Sequence, residues 1–291
     1  MKECCIILNP FARGAVKSEI VAALQQAGRA VEVRVTKAPG HAEQLAREAV
    51  EEGFGTVVAA GGDGTLNEVL SGLTGLAGGG GGGETAVRLG VIPLGTMNVF
   101  AREHRIPMDW EDALGRILRR NPKQVDLGMA NGRPFAQLAG VGFDAAVIAG
   151  VSRESKRLWG PGAYVWSGLR ELGRPQVRLE VHAEGLPPRE AVWVLIGLGR
   201  FYGGAFPVFP RGDGADGLLD VLIVRDLSVL RLMGYMLGLP FGLHTRMPGV
   251  EYVQTREVKV SGGGAWELDG EWRGRDPVVF SVKPGGLRLL V

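Results

Sequence analysis

The sequence predicts an α/β domain with a mostly parallel sheet over residues 1–123, followed by a mainly antiparallel β-sandwich domain over 124–291, with a ligand cleft between them. Three observations predict it. Through residue 120, short apolar runs alternate with helix-length amphipathic runs, as in a sheet whose strands are joined by helices. Beyond residue 123, strand-like runs dominate, starting with a pair split by Asn131-Gly132, a strong hairpin signal. The length, 291 residues, is comfortable for two cores. Whether the last few residues return to the first domain is left open.

Taken in order, "CCIILN" is an apolar run ending at Pro10. "VKSEIVAALQQAG" places Val16, Ile20, Ala23 and Leu24 at helical spacing before the stop at Gly28. "AVEVRVT" alternates as a strand, "HAEQLAREAVEEG" reads as a helix, and "TVVAA" as a buried strand. "TLNEVLSGL", "RLGVIPLG" and "DWEDALGRILRR" continue as helix, strand and helix. The later strands are "QVRLEVHAE", "EAVWVLIGLG", "LLDVLIVRD", "REVKVSGG", "AWELDGEW", "VVFSVKPG" and "LRLLV", with helical stretches near 145–172 and 228–242. The six glycines at 78–83 hold neither helix nor strand and read as a loop.

Composition narrows the function. With 45% apolar and 22% charged residues the chain is globular, and a net charge of +2 argues against nucleic acid as a partner. Cys4 and Cys5 are adjacent inside an apolar run, which reads as buried thiols and an intracellular setting. No run reaches the ~20 apolar residues of a membrane span. The expectation is a cytoplasmic protein.

The chemistry gathers where predicted strands end. "GGDGTLNEVLSG" brings Gly61, Gly62, Asp63, Gly64 and Thr65 from a strand into a helix, with Thr65 and Glu68 spaced as a capping box. A helix N-terminus approached by glycines accepts phosphate, because its N–H groups are unpaired and no Cβ intervenes. Asp63 would be repelled by a bare anion, which implies a metal ion or water between them. Two more strand ends, "LNPFARGA" and "VIPLGTMN", supply Asn9, Pro10, Arg13, Gly14, Gly95, Thr96 and Asn98, and Thr36 closes a fourth. In a parallel sheet these ends share the edge at which ligands bind.

The segments "NPFARG", "GGDGTLNEVLSGL", "VIPLGTMNVFAR", "VDLG", "GFDA", "FYGGAFPVFPRGDGADGLLDV" and "LDGEW" occur in the order found in the bacterial diacylglycerol kinase-like lipid kinases, a family that the chain resembles along nearly its whole length. The Gly-Gly-Asp-Gly-Thr element alone is shared with NAD kinases. The resemblance implies a diacylglycerol kinase-like fold and transfer of the γ-phosphoryl group of ATP, with Mg²⁺, to a lipid hydroxyl such as that of diacylglycerol. It implies an ATP site on Asn9, Pro10, Phe11, Ala12, Arg13, Gly14, Thr36, Gly61, Gly62, Asp63, Gly64, Thr65, Leu66, Asn67 and Thr96. It further implies catalytic roles for Glu271, as base, and Asp63, and a structural Mg²⁺ held by Asp213, Asp216 and the Leu218 carbonyl. Asp126 is a further carboxylate that could reach the phosphates. Two positions depart from the family pattern: Val99 stands where an Asp is usual, and Arg13 where a Gly is usual.

A lipid acceptor implies peripheral contact with a membrane surface, for which "RLWGPGAYVW" and "VLRLMGYMLGLPFGL" are the candidate segments, although core helices explain them equally. The alternatives are an NAD kinase-like enzyme acting on a soluble dinucleotide and a non-catalytic lipid or nucleotide sensor. The acceptor lipid and the oligomeric state, a homodimer included, stay open.

Overall fold

The computed structural model describes residues 3–12, 19, 22, 31–75, 87–119, 121–151, 162–202, 206–275 and 277–291. All of the expected first helix but Glu19 and Ala22, together with Arg13, Gly14, the six-glycine run and residues 157–161 of "RLWGPGAYVW", lies outside them. The chain forms two compact units, Met1–Leu127 with Lys283–Val291, and Gly128–Val282.

The first unit is built from β1 (Cys4–Leu8), β2 (Val31–Val35), α1 (His41–Glu51), β3 (Thr56–Gly61), α2 (Asp63–Gly75), β4 (Arg88–Pro93), α3 (Val99–Glu103) and α4 (Trp110–Arg119). Its strands run parallel in the order β2-β1-β3-β4, and Arg288 and Leu289 extend the sheet in parallel beside Arg88 and Leu89. All six residues of β3 are buried, as expected of a central parallel strand covered on both faces. Cys4 and Cys5 are buried thiols on β1. Ile6, Leu8, Val58, Ala60 and Ile92 pack against Leu114 and Ile117 of α4. That helix starts where Asp109 Oδ1 accepts the N–H groups of Glu111 and Asp112, and it ends on Arg116 and Arg119, which suit its dipole.

The helix after β3 departs from the capping box that the sequence predicts. It begins at Asp63, so Thr65 lies inside its first turn. Glu68 instead accepts the N–H groups of Gly40 (2.9 Å) and Ala42 (3.0 Å), satisfying the start of α1. The two helices touch closely. A Cβ on Gly72 would lie 2.3 Å from the Glu43 carbonyl oxygen and 2.7 Å from Ala46 Cβ.

The chain leaves the first unit within β5 (Pro122–Ala130). It continues through β6 (Arg133–Phe135), β7 (Leu138–Gly142), α5 (Phe143–Gly150), α6 (Gly162–Leu172), β8 (Leu179–Ala183), β9 (Arg189–Ala191), β10 (Trp193–Gly197) and β11 (Leu219–Val224). Then come α7 (Val229–Gly238), β12 (Val250–Thr255), β13 (Glu257–Ser261), β14 (Ala265–Leu268), β15 (Glu271–Arg275) and β16 (Val278–Leu290). The second unit is an antiparallel sandwich. One sheet runs β12-β11-β10-β7-β14-β15; the other is built on β13, flanked by β16 and β8, with β9 outside β8. Val141, Val194, Ile196, Val221 and Leu268 of the first meet Val181, Val258, Val260 and Phe280 of the second. Strand β8 alternates buried and exposed residues, as a strand with one wet face does. The hairpins at Asn131-Gly132 and Asp269-Gly270 have both turn residues at positive φ (46° and 81°; 49° and 84°), the type I′ geometry that Asn-Gly and Asp-Gly favour.

Because Gly72 faces backbone rather than a flexible side chain, Gly72→Ala is expected to destabilise the protein by about 1–3 kcal/mol. Urea unfolding measures this, and an unchanged midpoint would show that α1 and α2 pack more loosely than described.

Candidate active site

In the first unit, consecutive strand ends are stitched together by backbone bonds that outlast the strands. The Asn9 N–H donates to the Ala60 carbonyl (2.9 Å), Thr36 N–H to Leu8 (2.9 Å) and Leu94 N–H to Gly61 (2.8 Å). Asn9, Thr36, Gly61 and Leu94 therefore line one edge. Asn9 Nδ2 donates to Thr65 Oγ1 (3.1 Å), and Asn9 Oδ1 accepts the Phe11 N–H (3.0 Å), which ties the loop after β1 to the first turn of α2. Phe11 is exposed and Pro10 and Ala12 half-buried beside it; Thr65, Leu66 and Asn67 are buried and Thr96 is exposed. Asn67 Nδ2 and Oδ1 are buried without a hydrogen-bond partner among the described residues.

Two glycine turns meet at this edge. A Cβ on Gly95 would lie 2.5 Å from Gly62 Cα, and one on Gly61 would lie 2.4 Å from Thr65 Oγ1. Asn98 fastens the second turn from a left-handed conformation (φ 47°): its Oδ1 accepts the Gly95 N–H (3.0 Å) and its Nδ2 donates to the Gly95 carbonyl (2.8 Å). Asp63, expected beside the phosphates, is largely buried, and its carboxylate accepts the backbone N–H groups of Phe100, Val99 and Asn98 at the start of α3. Burial pushes its carboxyl above the usual range, and those N–H groups oppose the shift. Asp126, also in this unit, is buried and accepts the Gly285 N–H (2.8 Å).

In the second unit, Glu271 opens β15 directly after the Asp269-Gly270 turn. That turn is held from two sides. The Asp269 carboxylate accepts the N–H groups of Ala136 (2.9 Å), Gln137 (3.0 Å) and Leu138 (3.0 Å), and Gly270 N–H donates to Glu267 Oε2 (2.7 Å). The Glu271 side chain is about half exposed and pairs with Arg273 at 2.8 Å. Beneath the hairpin is a buried acidic group that sequence reasoning missed. Glu267 is fully buried, and Asp144 accepts a 2.5 Å hydrogen bond from the Tyr202 hydroxyl. Burial raises Asp144 to about 6, opposed by the bonds from Tyr202 and the Ala145 N–H. Burial, and then the charge of Asp144, push Glu267 well above the usual carboxylate range. Asp144 stands in the quoted "GFDA" segment, but nothing in four letters signals a partner 58 residues away.

The loop proposed to hold a metal ion carries Asp213 and Asp216, both exposed. Asp213 Oδ1 accepts the Ala215 N–H (3.2 Å) and Asp216 Oδ1 the Leu218 N–H (2.9 Å), so each carboxylate also shapes its own turn. Behind them Asp220 is fully buried and accepts a bond from the Tyr252 hydroxyl. Among the described residues no three His, Cys, Asp or Glu side chains gather as a metal cluster. By type, carboxylate and carbonyl oxygens such as those of Asp213, Asp216 and Leu218 are hard donors of the kind that suits Mg²⁺.

Residues 3–130 match the diacylglycerol kinase catalytic domain, and residues 138–291 the YegS C-terminal NAD kinase beta sandwich-like domain. A Pseudomonas aeruginosa protein named "Probable lipid kinase YegS-like" is 36% identical over 282 residues, covering 92% of this chain and 87% of the relative. The chain belongs to the diacylglycerol kinase-like family of lipid kinases. A Staphylococcus epidermidis protein named "Diacylglycerol kinase" is 31% identical over 290 residues, covering 96% of this chain and 89% of the relative. A crystal structure of a diacylglycerol kinase from Bacillus anthracis shares the fold with a TM-score of 0.79 at 23% identity, covering 99% of this chain and 96% of that one.

For this lipid-kinase family member the geometry yields two expectations. Asp63→Ala leaves three N–H groups of α3 without their acceptor and is expected to lower stability by about 1–3 kcal/mol. Thermal unfolding tests this, since a group that served only chemistry would leave the melting temperature unchanged. The raised carboxyl of Asp144 means that the folded state binds its proton more tightly than the unfolded chain. Its contribution to stability is complete below about pH 4 and is lost as pH rises through about 6. Urea titrations from pH 4 to 7 should show this slope in the wild type and a flatter one in Asp144→Asn. Equal slopes would remove Asp144 as the source.

Proposed function

We propose that the protein is an ATP-dependent lipid kinase that transfers the γ-phosphoryl group to a hydroxyl on an apolar tail, such as that of diacylglycerol. The observation that carries this reading is an apolar cavity of about 230 Å³ in the second unit. It lies between strands β10, β11 and β12, which contribute Trp193, Leu222 and Val250, and helix α7, which contributes Leu232 and Met236. Its lining includes the polar side-chain atoms of His244, Tyr202 and Tyr235, and no Asp, Glu, Lys or Arg lines it. An acyl chain fits such walls, whereas a dinucleotide acceptor would bring phosphates and riboses into a site unable to pair them. This disfavours the NAD kinase-like alternative.

In this reading the paired glycine turns at Gly61-Gly62 and Gly95-Thr96 receive the nucleotide phosphates, because backbone N–H groups can approach them with no Cβ between. Asn9 and Thr65 keep the loop after β1 beside them. Asp63 acts by fixing the N-terminus of α3 against the first turn of α2. Glu271, paired in this structure with Arg273, takes the proton from the acceptor hydroxyl as the phosphoryl group arrives. Asp213, Asp216 and the Leu218 carbonyl would hold Mg²⁺, whose charge steadies that acidic loop. A divalent ion accompanying the nucleotide would neutralise charge on the phosphate oxygens.

The test is transfer of radiolabel from ATP to a mixed lipid extract, with NAD offered in parallel. Labelled lipid is expected from the wild type, with a loss of roughly 10²–10⁴-fold in kcat for Glu271→Gln, the range of a lost general base. Label in NAD rather than lipid would overturn the reading, and equal labelling by the variant would remove Glu271 as the base.

A further inference from the structure

Helix α7 has two apolar faces, and only one is used by the fold. Leu232, Tyr235, Met236 and Leu239 point to the cavity. On the opposite side Leu230 is 81% exposed, Met233 56% and Leu237 74%, and Phe241 follows at 77% in the 3-10 turn after the helix. Positions 230, 233, 237 and 241 recur at helical spacing, so these side chains form one continuous stripe. A helix that simply covers a sheet carries polar and charged residues there.

Basic residues outnumber acidic ones beside the stripe. Between residues 227 and 250 the sequence contains no Asp or Glu, while Arg231 and Arg246 are both exposed. Arg231 pairs with Asp226, just before the helix. A second copy of the chain seated on this face would set arginines against arginines, whereas lipid headgroups supply the phosphates such residues pair with. Helix α7 has 10 residues, too few to cross a bilayer, and no helix among the described residues is long and apolar enough to do so. A short apolar face with cations at its border suits lying in the headgroup layer. The helix is also the wall of the cavity. Met236 lines that cavity and is itself 48% exposed, so the apolar interior is one side chain from the outside.

We propose that the outer face of α7 and its following turn, Leu230, Met233, Leu237 and Phe241, docks on the surface of a lipid bilayer and admits the acceptor lipid to the cavity past Met236. The docking stands on this face alone; the identity of what enters the cavity rests on the lipid-kinase reading.

The experiment compares the full chain with Leu230→Asp/Leu237→Asp and, independently, Phe241→Ser, none of which lines the cavity. Each is sedimented with vesicles of phosphatidylcholine and phosphatidylglycerol, and each is assayed on vesicle-embedded and on monomeric short-chain diacylglycerol. The double variant should keep the wild-type melting temperature and its labelling of the monomeric lipid. Its vesicle binding and its labelling of embedded lipid should each fall roughly ten-fold or more, with a smaller fall for Phe241→Ser. Unchanged vesicle binding in both variants would overturn the proposal, as would a dimer that becomes a monomer in the double variant while vesicle binding persists. If the wild type labels no lipid yet the double variant still loses vesicle binding, the docking face stands and the kinase reading falls.

Discussion

The close approach of two backbone turns organises the first unit. Gly62 and Gly95 lie so near each other that a Cβ on Gly95 would have to displace the other chain segment, and one on Gly62 would be tight against it. That contact exists because β3 and β4 are parallel neighbours whose ends stay in register, with Leu94 N–H bonded to the Gly61 carbonyl. Asp63 and Asn98 then secure the pair. One carboxylate gathers the first N–H groups of α3, and one amide closes the Gly95 turn on itself. The result is a rigid edge of glycine backbone from which side chains have been excluded, the physical requirement for holding a phosphate by its oxygens.

The second unit solves a different problem with the same economy of parts. Its hairpin at Asp269-Gly270 must present Glu271 to solvent, yet a two-residue turn by itself is mobile. Three backbone N–H groups converge on the Asp269 carboxylate, and Glu267, from inside the sandwich, accepts a fourth from Gly270. Glu267 and Asp144 are buried together near the Tyr202 hydroxyl, and two such carboxyls in a dry interior cannot both be ionised at low cost. The proton they retain belongs to the support of the hairpin. The carboxylate proposed for chemistry sits in the open, paired with an arginine.

Beside strands β10, β11 and β12 the second unit carries its apolar cavity and an exposed apolar face. The sheet β12-β11-β10 is capped by a helix whose inward residues enclose an apolar cavity and whose outward residues leave apolar surface in solvent. Surface of that kind on a folded domain normally marks a place where something else binds.

Much of this was legible in the sequence, for identifiable reasons. Strand and helix periodicity, the Asn131-Gly132 hairpin and the glycine turns at strand ends are local properties, written within a few residues of where they act. Order in the chain and the quoted segments were enough to indicate the family. What the sequence could not disclose are the partners that folding brings from afar. Glu68 has the spacing of a cap for its own helix, but α2 starts two residues before Thr65, and the carboxylate serves α1 instead. Asp63 reads as a phosphate-site carboxylate and turns out to hold the start of α3, because only the register of β3 and β4 brings residues 98–100 to it. Asp144, Tyr202 and Glu267 meet across 123 residues of chain, and whether "VLRLMGYMLGLPFGL" is core or surface depends on which face the sheet below it covers. Local conformation is set by short-range sterics and hydrogen bonding, which the sequence carries openly. Burial, and the pairing of buried charges, are decided only when distant segments exclude water together.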